Sequence, residues 1–188
     1  MRLMVTAEFQ PFFLASVGAS AALIGLLFVS VSIGPERIFG AESDPRRQAQ
    51  AISAFSALAN VFFISMSSLI PGVLIGLVVT AVAAASTLQL LGLLVRVGRW
   101  HVDLITAIRG AILVVISASI YGTELYLGLL LWTRPSTGAL IGLLEVLLGA
   151  YAIGLGRAWQ LLGAPRLGLI SFVLDFLERR ELARRPKG

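Results

Sequence analysis

Glu124 and Glu145 are the side chains of this 188-residue chain most able to do chemistry. Each is the sole acid in a long run of Ile, Leu, Val and Gly, at residues 109–132 and 138–156. A charge at bilayer depth costs about 2.5–3.5 kcal/mol on insertion scales. Such a carboxyl therefore faces protein or water, or it carries a proton. Proton uptake and cation binding are the chemistries this suggests.

Helical spacing gives both acids small, polar company. The stripe of Glu145 carries Gly138, Gly142, Gly149, Ala152 and Gly156, and Gln160 closes it. The stripe of Glu124 carries Thr106, Gly110, Ser117, Tyr121 and Gly128. Small residues let helix backbones approach, which is how helices gain contact in lipid. Both acids are thus expected on packed faces. Glu124 lies eight residues before Trp132 and Glu145 seven after Gly138, so both sit about 10–12 Å below one membrane surface. The short link 133–137, with Arg134 and Pro135, makes the two helices antiparallel neighbours. Two carboxyls at one depth could share a proton or a cation. In the plainer reading each is protonated and hydrogen-bonded to a neighbouring helix.

A second polar stripe, Ser53, Ser56, Asn60 and Ser67, falls within about 60° on the second apolar run, 48–70. It could line a hydrated path. Ordinary interhelical hydrogen bonding explains it equally, at about 0.6 kcal/mol per contact. On the first span Gly18, Ala21, Gly25 and Ser32 share one face, and Ser16, Ser20, Leu23, Leu27 and Ser30 the opposite one. That pattern suggests a helix packed on two sides.

The elements that position these residues are legible in the composition. Hydrophobic residues make up 57% and charged residues 13%, with a mean hydropathy of +0.92. Five runs are long enough to span a bilayer: about 12–33, 48–70, 72–95, 109–132 and 138–160. A cleaved signal peptide competes for the first, but it is long for an h-region and Phe39-Gly40-Ala41 is a poor cleavage site. The expectation is an all-α polytopic bundle over residues 1–165 with five transmembrane helices. Pro71-Gly72 forms a tight reversal between the second and third spans, whose one strongly polar interior residue is Gln89. Residues 34–47 form a polar loop.

Residues 166–188 read as an interfacial amphipathic helix and basic tail. Ser171, Asp175 and Glu178 share one face, and Leu169, Phe172, Val173 and Phe176 the other. Arg179, Arg180, Arg184, Arg185 and Lys187 would bind anionic lipid or a partner protein. Without cysteine there is no disulfide, thiolate catalysis or Cys-ligated metal. The single histidine, His101, sits beside Trp100 in a loop, where solvation is the usual state. No metal or other cofactor is expected. No Ser/His/Asp or HExxH arrangement exists, so the chain is not expected to be an enzyme. The net charge of +5 flanks the spans, which points to topology and not to nucleic acid.

Glu8-Phe9, the run 13–33 (FLASVGASAALIGLLFVSVSI) and Glu36-Arg37-Ile38 together resemble the opening of a recurrent group of small bacterial polytopic membrane proteins. Arg157-Ala158-Trp159 is similar to members of that group more loosely. The likeness covers roughly the first fifth of the chain. It implies a bacterial protein with about five spans, and it brings no activity with it.

With five spans only Arg2 and Arg134 lie on the N-terminal side. Arg37, Arg46, Arg47, Arg96, Arg99, Arg109, Arg157, Arg166 and the tail cluster lie on the other. The positive-inside rule then places the N-terminus outside and the C-terminus in the cytoplasm, across a bacterial inner membrane. Trp132 at one end and Trp100 and Trp159 at the other fit aromatic belts. The expected function is a homo-oligomeric ion or proton channel or transporter, its pathway drawn from Glu124, Glu145, Tyr121, Ser117, Asn60, Ser53, Ser56 and Ser67. Gly18, Gly25, Gly138, Gly142, Gly149 and Gly156 are the expected helix-packing positions. The alternative is an accessory or assembly subunit of a larger membrane complex.

Overall fold

The computed structural model describes residues 7–40, 43, 45–97 and 104–161. The expected amphipathic helix at 166–185 and His101 lie outside them. The described residues form six helices and no strand: α1 (Gln10–Ile33), α2 (Pro35–Phe39), α3 (Pro45–Ser68), α4 (Ile75–Val97), α5 (Leu104–Thr133) and α6 (Thr137–Leu161). All but α2 are long and apolar enough to cross a membrane.

Local chemistry sets the helix ends. Pro11 stands in the first turn of α1 and Pro35 in that of α2, where a missing N–H costs nothing. The 34–47 segment is therefore not all loop, and Ile38 of α2 is buried against α3. Pro71 and Gly72 make the α3–α4 reversal, with Gly72 at φ +80°, a conformation L side chains rarely adopt. α4 starts at Ile75, after this turn, and not at residue 72. The Ser136 hydroxyl accepts the Ala139 N–H at 3.2 Å and caps α6. α5 begins five residues before the expected span, because the helix outlasts its apolar stretch.

α3 is the hub, packed against α1, α4 and α6, while α4 lies along α5. Gly142 and Gly149 of α6 meet Leu127 and Ile120 of α5 respectively, so α5 and α6 run antiparallel as expected. Gly76 lies against the backbone of Leu131 and Trp132, and Gly128 against Thr80, so α4 and α5 are antiparallel too. Two ends follow. The turn end holds the α3–α4 and α5–α6 links. The arginine end holds Arg47 and Arg157.

Buried apolar residues concentrate from mid-bundle to the turn end. Val61, Ile64, Ile75, Val79, Leu127, Leu131, Leu140 and Leu143 form one cluster there. Toward the arginine end buried Ala51, Ala54 and Leu90 share the interior with Ser86, Ser117 and Arg157.

Three packing expectations are revised. α1 buries Phe13, Ser16, Ser20 and Leu27 against the rest of the chain, and a Cβ on Gly18 or Gly25 would meet nothing within 4 Å. On α6, Gly142 and Gly149 face α5, but Gly138 and Gly156 are open. The inward face of α6 is Leu140, Leu143, Leu147, Ala150, Gly154 and Arg157, which turns Glu145 to the outside.

Candidate functional site

Three residues of α5 point inward at i, i+4 and i+7: Ser117, Tyr121 and Glu124. Glu124 is 0% exposed. It lies near the middle of the apolar stretch Val114–Thr133. The polar stripe of α3 arrives from the other side. Asn60 Nδ2 donates to Glu124 Oε2 at 2.7 Å and to Ser86 Oγ of α4 at 3.1 Å. One amide nitrogen has two hydrogens and serves both. Asn60 Oδ1 and Glu124 Oε1 are buried without a partner. A buried polar atom left unpaired costs about 1–3 kcal/mol, so the pair forms an unsaturated oxygen site.

Seven residues before Glu124 along α5, about 10 Å toward the arginine end, Ser117 Oγ accepts from Arg157 Nη2 at 2.8 Å. Arg157 is 8% exposed, and its Nε has no partner. Tyr121 sits between, within electrostatic range of both Arg157 and Glu124. The result is a buried column from the Arg157 guanidinium past the Ser117 hydroxyl and the Tyr121 phenol to the Glu124 carboxyl.

Beside this column a small cleft of about 20 Å³ lies between α3, α4 and α5. Ser53, Ser56, Ser86, Gln89 and Tyr121 supply its polar lining, and Ile52, Leu90 and Leu93 its apolar wall. Its residues come from the first half of α3 and the second half of α4, which is the arginine-end half of the bundle.

Of the residues singled out by sequence, Glu124, Asn60, Tyr121 and Ser117 come together, with Ser53 and Ser56 in the adjoining cleft. Ser67 does not join them; its hydroxyl bonds back to Phe63 O at 2.6 Å. Glu145 is not on the packed face expected of it, but exposed on the outer side of α6. Sequence reasoning missed Ser86 and Arg157. Ser86 had no charge to mark it. Arg157 reads as a topology flank, although its spacing from Leu143, Leu147, Ala150 and Gly154 places it on the inward face.

Among the described residues no three His, Asp or Glu side chains converge on a metal position. The oxygen set of Asn60, Ser86 and Glu124 carries at most one negative charge. That suits a proton or a monovalent cation better than a divalent ion, which draws several carboxylates.

No protein-family model, curated protein or solved structure matches this chain.

Proposed function

We propose that this chain is a small bacterial inner-membrane protein that moves protons or a monovalent cation as a homo-oligomer, with Glu124 as the uptake group. The observation behind this reading is the Glu124 carboxyl. It is fully buried at mid-span, with one oxygen held by Asn60 and the other unpartnered. A side chain kept there for packing alone would be apolar, since an ionisable group at that depth carries a standing cost. Tyr121, Ser117 and Arg157 extend the polar route toward the arginine end, which the positive-inside rule makes cytoplasmic.

Purified into proteoliposomes, the wild-type protein is expected to carry a proton or Na⁺ current, and Glu124→Gln to reduce it at least tenfold. A wild type without flux, or an unaffected Glu124→Gln, overturns the reading.

Glu145 supports a second chain against α6. An exposed carboxyl at bilayer depth is costly in lipid, and Gly138 and Gly156, farther along the same helix, are open to a neighbour. In the transport reading that chain is another copy. In the alternative reading, an accessory subunit, it belongs to a larger complex. Native mass separates the two: a closed oligomer of fixed copy number supports transport, and co-migration with other proteins supports the subunit. In either case Glu145→Ala is expected to weaken association about five- to thirtyfold, matching 1–2 kcal/mol for an interhelical polar contact. An unchanged native mass distribution on dilution in detergent would show that Glu145 contacts no other chain.

A further inference from the structure

We propose that the cleft between α3, α4 and α5 is a water or hydronium binding site that connects Glu124 to the arginine end alone. This antechamber serves the uptake at Glu124 proposed above. Its test reads water access and not flux, so either can fail alone.

The volume comes first. A site needs about 10–15 Å³ of this measure to hold one water, and the cleft offers about 20 Å³. It is therefore sized for a single molecule, which needs two to four polar partners. Those partners are present, and they are not spent elsewhere. Among the described residues many hydroxyls are turned back on their own helix: Ser67, Ser68, Thr80, Thr87, Ser119 and Thr133 each bond the carbonyl four residues earlier. Ser53 and Ser56 make no such bond, and their hydroxyls line the cleft beside Gln89 and the Tyr121 phenol.

The link inward comes next. Ser86 belongs both to the cleft wall and to the Glu124 site, because Asn60 Nδ2 donates to it and to the carboxyl together. One nitrogen thus keeps the Ser86 hydroxyl and the carboxylate within two hydrogen-bond lengths, a distance one water bridges. A hydronium in the cleft gives its proton along that bridge to ionised Glu124. The carboxylate becomes a carboxyl, and neutral water remains.

The other direction is closed. Past Glu124 toward the turn end stand Val61, Ile64, Val79, Leu127, Leu131 and Leu143, all in one apolar cluster. Ser68 and Thr80 there are self-bonded, and Ser65 contributes one isolated buried hydroxyl. A single hydroxyl does not carry a water chain.

The chain has no cysteine, so single cysteines report access without background. Ser53→Cys, Ser56→Cys, Val61→Cys and Val79→Cys would each be placed in sealed vesicles of known orientation. A membrane-impermeant methanethiosulfonate is then added from one side or the other. Only a hydrated thiol ionises and reacts. The expected result is modification of Ser53→Cys and Ser56→Cys from the arginine end only, at least tenfold faster than either valine variant. Reaction of the serine variants from the turn end, equal reaction of Val79→Cys, or no reaction at both serines (an acyl chain filling the cleft) overturns the proposal. Two cleft positions on successive turns of α3 keep the test decisive if one variant fails to fold.

Discussion

Asn60→Leu destabilises the bundle by about 1–3 kcal/mol, read as a lower midpoint in detergent or SDS unfolding. The substitution keeps a side chain of similar bulk and removes the amide that donates to both Glu124 and Ser86. Glu124 Oε1 already lacks a partner, so the whole carboxyl is then buried without a donor. Much of the cost belongs to the group left behind. Asn60→Leu in a Glu124→Leu background is therefore expected to cost far less than alone, with a coupling of about 0.5–3 kcal/mol. If the two changes simply add, the Asn60–Glu124 contact carries no stability, and the site loses its physical basis.

The second large effect lies where α4 and α5 touch. A Cβ at Gly76 would overlap the backbone of Leu131 and Trp132, and one at Gly128 would fall 2.8 Å from Thr80 N. Backbone cannot rotate aside as a side chain can. Gly76→Ala and Gly128→Ala must therefore separate the two helices, at a cost of about 1–3 kcal/mol or more each, the usual range for overpacking. Gly154→Ala is expected to be milder, because its Cβ would meet the flexible end of Leu58. Gly25→Ala, facing open space, gains helix propensity of about 0.5–1 kcal/mol and loses no contact within the chain. The ordering Gly76, Gly154, Gly25 in the unfolding midpoint checks the helix arrangement itself. A flat series would refute the α4–α5 packing.

This glycine series also shows how far the sequence is legible. Long apolar runs, Pro-Gly punctuation and arginine flanks locate the five long apolar helices to within a few residues, because each signal is local to its own segment. The stripe of Ser117, Tyr121 and Glu124 is legible for the same reason: it follows from the period of one helix. What a small residue touches is not local. Gly18, Gly25 and Gly138 look like packing positions as much as Gly76 and Gly128 do, yet only the latter two meet a backbone. Glu145 makes the same point. Its glycine-rich stripe marks a surface fit for close approach, but the stripe divides: Gly142 and Gly149 meet α5, while Glu145, Gly138 and Gly156 stay on the outside. Arg157 stayed hidden because an arginine near a helix end serves topology as often as structure. Only the neighbouring α5 reveals that it reaches Ser117.

The apolar cluster between Glu124 and the turn end has an electrical consequence. A transmembrane potential does not fall evenly across such a molecule. It drops mainly where polarisable groups and water are scarce, which here is the tightly packed region between Glu124 and the turn end. On the proposed transport reading, a proton reaching Glu124 through the cleft crosses little of the field, so its binding should respond to pH on that side and hardly to voltage. A proton leaving Glu124 toward the turn end crosses most of it, with up to about 2.3 kcal/mol of work per 100 mV. On that reading the same carboxyl would separate a voltage-insensitive loading step from a voltage-driven transfer step. The current should steepen with potential even at saturating proton concentration.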